Sequence, residues 1–330
     1  MKSKNSPISK SSKIRVALTI GDPAGIGAAI TLQALKILKD KADFTVIGDG
    51  RVLAQAARLL KVIPVPVKLI DLNNVQTNHF RFGCLNAQNG KASLEYLDAA
   101  LELLNRKEID CLVTCPVSKE AVSLSKAKFS GHTEYLGQRT GAKSLVMMLI
   151  NDKLKFSLVT RHIPLRDVSR MLTRKNMETN ITDTVKGLQD LFLIKKPRLA
   201  VCGINPHASD NGVIGTEEQE IINPVIKKLN KKIRDISIST VLGADVAISQ
   251  AAKGKFDCVI AAYHDQALIA LKLTGFDSGV NLTLGLPFVR TSPLHGTAFD
   301  IADRPGLANP ASLVAAIKLA IKCTLNQKKA

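Results

Sequence analysis

The chain has 330 residues, 45% of them hydrophobic and 22% charged, which excludes bulk disorder and leaves room for one large α/β unit or two lobes. The formal net charge of +18 would suit nucleic acid, a membrane surface or an anionic small molecule. Much of that charge sits at the two ends, however, and with 4% aromatic residues and no Trp no stacking surface accompanies it, so a nucleic-acid partner is not expected.

In chain order, residues 1–13 read as a basic flexible tail, with Lys2, Lys4, Lys10 and Lys13 among polar residues. No apolar core of signal-peptide length precedes Ile14, and no run reaches the length of a membrane span, so no membrane association and a cytoplasmic location are expected. Near-continuously apolar runs predict strands over 15–20, 44–47, 111–114, 145–150, 156–160, 199–204 and 258–262, with both sheet faces covered. Leu94, Leu97, Leu101 and Leu104 recur at helical spacing. Thr216-x-x-Gln219 reads as a capping box opening a helix, with Pro224 an irregularity in its first turns. Strands alternating with helices predict a mainly parallel α/β sheet. The six cysteines form no Cys-x-x-Cys pair, and Cys202 and Cys258 fall inside predicted strands as small hydrophobes, which suits a reducing compartment.

Three histidines share one address: His162, His207 and His264 each come directly after a predicted strand. Ligands of open α/β sheets bind beyond the carboxyl ends of strands, so three imidazoles there suggest a divalent-metal site with positions left for substrate. Gly21-Asp22-Pro23-Ala24-Gly25-Ile26-Gly27 is a strand-to-helix loop; it lacks the Rossmann and Walker spacings, and a tight connection reads at least as well as a phosphate cradle. In Gly131-His132-Thr133-Glu134 the local sequence favours Thr133 as a helix cap over an oxyanion donor. From Lys272 to Ala298 the chain is dense in ligand-binding groups, and its cations stand in apolar sequence, where they need partners; this predicts an anion site.

Together these segments resemble the 4-hydroxythreonine-4-phosphate dehydrogenase family of vitamin B6 biosynthesis. The matching stretches are the loop at 21–27, Gly131-His132-Thr133-Glu134, 162–167, Asn205-Pro206-His207-Ala208, 215–218, Tyr263-His264-Asp265-Gln266, 279–287, Arg290-Thr291-Ser292 and His295-Gly296-Thr297-Ala298. They cover roughly residues 14 to 320 in the same order. The resemblance implies a three-layer α/β/α fold of the isocitrate/isopropylmalate dehydrogenase type, with two lobes around a cleft: 14–125 plus 291–330, and 126–290. It implies a homodimer with a shared active site. It also implies His162, His207 and His264 as ligands of one divalent ion (zinc, cobalt, magnesium or manganese), and His132, Thr133, Lys272, Asn281 and Arg290 as substrate ligands. Asp245 would accept or relay the proton of the reacting hydroxyl. His295, Gly296, Thr297, Ala298 and Asn309 would bind NAD or NADP.

The implied reaction is oxidation of 4-phosphohydroxy-L-threonine to a 3-keto acid that loses carbon dioxide to give 3-amino-2-oxopropyl phosphate, on the way to pyridoxal phosphate. The chain departs from the family pattern at Ala28-Ala29, Ser118, Arg161 and Ser209-Asp210-Asn211; Arg161 and the last group flank proposed metal ligands and bear on substrate choice. A 4-phosphothreonate 3-dehydrogenase is the alternative within the same chemistry. A metal-dependent phosphohydrolase is the alternative from another class, opposed by the His-Gly-Thr-Ala loop.

Overall fold

The computed structural model describes residues 13–76, 78, 80–275 and 277–329. The basic tail expected over 1–13 therefore lies, apart from Lys13, outside the described residues. In chain order the strands are β1 Arg15–Thr19, β2 Asp43–Gly48, β3 Lys68–Asp71, β4 Cys111–Thr114, β5 Val146–Ile150, β6 Lys155–Leu158, β7 Arg198–Cys202, β8 Ser237–Leu242, β9 Cys258–Ala261, β10 Val280–Leu284 and β11 Val289–Pro293. The α-helices are α1 Gly27–Leu38, α2 Gly50–Leu60, α3 Ala87–Asn105, α4 Lys119–Leu124, α5 His132–Thr140, α6 Val168–Met171, α7 Arg174–Phe192, α8 Asn223–Lys232, α9 Ala244–Ala252, α10 His264–Gly275 and α11 Ala311–Gln327.

All the strands join one sheet, in the order β3-β2-β1-β4-β11-β10-β5-β6-β9-β7-β8. The run from β3 to β11 is parallel, and so is the run from β6 to β8. Between them β10 is antiparallel to β11 and β5, and β5 to β6, so the two parallel blocks point in opposite directions. Strand β5 shows the layering. Val146, Met148 and Ile150 pack into the core with Met177 and Ile181 of α7 and Ile317 of α11. Met147 and Leu149 face the other way, toward Ala251 of α9 and Leu271 of α10. Burial on both faces explains the continuous apolar run, and the expected α/β class with a large helix-covered sheet is borne out.

Each of the seven predicted strands is found, within a residue or two. Four others are not apolar runs. β3 and β8 are edge strands with half-wetted faces, and β10 and β11 carry Asn281, Thr283, Arg290 and Ser292 inward. The stretch read as a string of ligand-binding groups is thus an antiparallel pair in mid-sheet.

Two local readings are corrected. The capping box at Thr216 does not form: Gln219 exchanges hydrogen bonds with Ser209 instead, and a π-helical turn over Glu218–Ile222 precedes α8. Pro224 then sits in the first turn of α8. It has no N–H for the carbonyl of Glu220 four residues earlier, and Arg174 donates to that oxygen at 2.7 and 2.9 Å. Thr133 is not a cap either. Gly131 holds the N-cap position of α5 without a side-chain bond, and Thr133 is buried inside the helix, 3.5 Å from Thr283 Oγ1.

Candidate active site

The floor of the candidate site is the shared face of the middle strands. The register sets Thr283 beside Met147 and Arg290, and Asn281 beside Leu149 and Ser292, so alternation turns all of these side chains the same way. Above them lies a cavity of about 350 Å³ whose lining includes Thr114, Lys119, His132, Thr133, Glu134, His162, His264, Asn281, Arg290 and His295.

Arg290 is 1% exposed. It donates to Thr283 Oγ1 at 3.1 Å and to Thr114 Oγ1 at 2.5 Å, while its Nε is buried without a partner among the described residues. Burial pulls its guanidinium down to about 9, with Glu134 acting the other way. His132 Nε2 and Asn281 Oδ1 are likewise buried and unpartnered. Burial, and then the charge of Arg290, hold His132 neutral, well below the ordinary imidazole range. Orphaned buried polar groups converging on one space are costly unless a ligand completes them.

The parallel block β6-β9-β7-β8 sets a candidate residue past the end of each of its strands: His162 after β6, His264 at the start of α10 after β9, His207 after β7, and Asp245 in α9 after β8. The row is cross-tied. Thr160 Oγ1 donates to Ala262 O at 2.7 Å. The Gln266 amide accepts from Ala262 N at 2.8 Å and donates to Gly203 O at 2.9 Å. Buried Glu218 accepts from Ile204 N, Asn205 N and Asn205 Nδ2 at 2.8–2.9 Å.

The rings of His162 and His264 lie with centroids 5.6 Å apart and planes tilted by 45°, and burial, then the charge of Lys119, hold His162 below its usual range. His207 does not join them. Its side chain is 77% exposed with Nδ1 3.2 Å from Asp210, on a turn in which His207 to Asn211 all have positive φ. Among the described residues no three His, Cys, Asp or Glu side chains gather as a metal cage. The donor chemistry suits a borderline divalent ion, with two imidazoles in place and the third turned away. Asp245 is exposed and outside the cavity lining.

A second cavity, about 230 Å³, adjoins the first. Ile26, Lys272, Asp277, Leu294, His295, Ala298, Ile301, Leu307, Asn309 and Ser312 line it. Lys272 thus stands here and not among the residues around Arg290. Leu294 and His295 line both cavities. In the loop at 21–27, Asp22 N, Ala24 N, Gly25 N and Ile26 N donate within the protein, to Pro116 O, Asp22 Oδ1, Asp22 O and Thr297 O. This loop is the tight connection that sequence allowed. Thr291 points away from the site and donates to Ala316 O. Thr114 and Lys119 escaped sequence reasoning, though Thr114 ends β4 and Lys119 comes shortly after it, at the kind of strand end where ligands bind.

Residues 40–320 match the model of the family described as pyridoxal phosphate biosynthetic protein PdxA. The 4-hydroxythreonine-4-phosphate dehydrogenase of Sulfurihydrogenibium sp. is 41% identical, over 93% of this chain and 98% of its own. The chain belongs to the PdxA family. Another relative, from Halalkalibacterium halodurans, is provisionally named a D-threonate 4-phosphate dehydrogenase and is 36% identical over 93% of this chain and 96% of its own. Among solved structures, the Klebsiella pneumoniae 4-hydroxythreonine-4-phosphate dehydrogenase superposes with a TM-score of 0.85 at 33% identity, covering 96% of this chain and 99% of that one. Membership in the PdxA family was legible in the sequence motifs, and those holding His132, His162, His264, Asn281, Arg290 and His295 line the first cavity.

Proposed function

We propose that this PdxA-family dehydrogenase oxidises 4-phosphohydroxy-L-threonine with NAD or NADP, giving a 3-keto acid that decarboxylates to 3-amino-2-oxopropyl phosphate. The observation that carries the reading is the wall shared by the two cavities. On one side lie a buried cation and paired imidazoles; on the other lies the His295-to-Asn309 segment that the family resemblance assigns to the dinucleotide.

The substrate's anionic groups accept from Arg290 Nε, His132 and Thr133, while its hydroxyl or amino group donates to Asn281 Oδ1, so that the unpartnered atoms are satisfied. That remote binding orients the hydroxyl-bearing carbon toward the His162 edge. His295, in the shared wall, separates substrate from cofactor and limits water between them. A divalent ion held by His162 and His264, and by His207 once its turn brings the ring round, would acidify the substrate alcohol and polarise the ketone. Zinc and cobalt suit the imidazoles; magnesium or manganese would lean on substrate oxygens. Asp245, at the end of the same strand edge beside the His207 turn, is proposed to take the hydroxyl proton. Lys272 lines the second cavity rather than the one around Arg290, so its proposed role as a substrate ligand rests on the family resemblance alone.

Residues 14–125 plus 291–330, and residues 126–290, would act as the two lobes about this cleft. A homodimer is proposed through the outer face of α10, where Ile269 is 61% and Leu273 83% exposed. No helix among the described residues is long and apolar enough to cross a membrane, which is compatible with a cytoplasmic setting.

The test is reduced-nicotinamide formation from 4-phosphohydroxy-L-threonine and from 4-phospho-D-threonate, each with and without a chelator. Chelator-sensitive turnover of the amino acid is expected. Preference for the threonate would move the substrate to that of the Halalkalibacterium relative. Inactivity on both, with metal and either dinucleotide supplied, would reject the reading.

A further inference from the structure

Lys119 opens α4 directly after Ser118, whose side chain caps that helix by accepting from Ala121 N at 3.1 Å. Its arm ends near the start of α5: a Cβ placed on Gly131 would lie 4.0 Å from Lys119 Cε and 2.9 Å from Glu134 Oε2. Lys119 lines the cavity that holds Arg290 and His132, and among the described residues it makes no hydrogen bond or ion pair. The carboxylate on that rim, Glu134, is engaged by Arg161 at 3.4 Å. Helix α5 runs from His132 to Thr140, Gly131 offers its first turn no side-chain cap, and residues 131–134, whose leading N–H groups have no intrahelical partner, line the cavity. Independent of that helix end, Arg290 Nε is buried in the same cavity without a partner among the described residues, as is His132 Nε2.

We propose that Lys119 is a further substrate ligand, its ammonium closing over the uncapped start of α5 to grip the phosphate. A phosphate dianion needs more than one positive charge and several donors around it. Arg290 supplies a fixed cation from the floor, α5 supplies N–H groups and the positive end of its dipole, and Lys119 supplies a mobile point charge from the opposite rim. Because Lys119 is exposed, its arm can swing aside to admit substrate and return onto it. The assignment rests on the phosphorylated-substrate reading above, and it adds a residue that the family motifs did not single out.

The test uses the full chain and its Lys119→Met and Lys119→Arg variants. Each is assayed with 4-phosphohydroxy-L-threonine and with unphosphorylated 4-hydroxy-L-threonine, and inorganic phosphate binding is measured by calorimetry without turnover. For Lys119→Met, kcat/KM on the phosphorylated substrate is expected to fall by about 10- to 100-fold, the worth of one charge-assisted hydrogen bond. The weak rate on the unphosphorylated compound stays the same, phosphate affinity falls by about tenfold or more, and Lys119→Arg recovers part of each. Equal losses on both compounds would assign Lys119 to the substrate carboxylate or to structure, and unchanged phosphate affinity would likewise overturn the proposal. If the parent protein turns over neither compound yet binds phosphate in a Lys119-dependent way, the dehydrogenase reading fails while the phosphate site stands.

Discussion

Two buried charged residues carry opposite lessons. Asp22 is 1% exposed; its Oδ1 accepts from Ala24 N at 2.9 Å, while its Oδ2 is unpartnered among the described residues. Burial raises its carboxyl to about 6. A carboxyl with a raised folded pKa is protonated more readily in the folded chain, so between the unfolded value near 3.9 and about 6 stability declines as pH rises. Asp22→Asn keeps the acceptor without the charge, so its stability advantage over the parent should grow between pH 4 and pH 7, by up to about 3 kcal/mol. Urea unfolding at both ends of that range checks this, and a difference that does not change with pH would contradict the buried carboxylate. Arg290 is buried with hydroxyl partners and, among the described residues, no ion pair, an arrangement that stability alone does not favour. Arg290→Met should keep or raise the melting temperature while kcat/KM falls by about 100-fold or more. A melting temperature that fell along with activity would make Arg290 a structural residue.

Between elements, the site depends on ties that only neighbouring strands can make. Gln266 bridges the ends of β9 and β7, and so the loops bearing His264 and His207. Gln266→Ala strands Ala262 N and Gly203 O, costing about 1–3 kcal/mol, and should weaken divalent-cation affinity by about tenfold or more, as losses around metal ligands do. Calorimetry on chelated protein reads this directly, and unaltered affinity would show that the tie does not position the histidines. The β1–α1 junction is tight in another sense: a Cβ on Gly27 would lie 1.9 Å from Ile20 O. Gly27→Ala should destabilise by about 1–3 kcal/mol as an overpacked core does, measurable as a lowered urea midpoint. The element missed by periodicity, the β10–β11 pair, was missed for the reason that makes it important. Its inward positions hold Asn281, Thr283, Arg290 and Ser292, so the polar site interrupts the apolar run by which buried strands are recognised.

At the scale of the whole molecule, the outer face of α10 leaves Ile269 and Leu273 exposed, one helical turn apart on the helix that begins with His264. If that face is the dimer interface, Leu273→Asp should convert a dimer to a monomer in sedimentation velocity and lower activity with it; a parent that sediments as a monomer would remove the proposal. The sequence by itself determined the layered α/β class, seven of the strands, the family, and the residue types that carry its chemistry, because local burial patterns and motif spacing are properties of neighbours along the chain. Only the tertiary structure decided that β10 and β5 run antiparallel between two opposed parallel blocks, and that the order β6-β9-β7 brings the His162 and His264 rings close together. It likewise turned His207 onto Asp210, set Lys272 on the second cavity, and brought Lys119 near the start of α5. Those outcomes depend on which distant strands lie side by side, and no local pattern of hydrophobicity or turn residues encodes that choice.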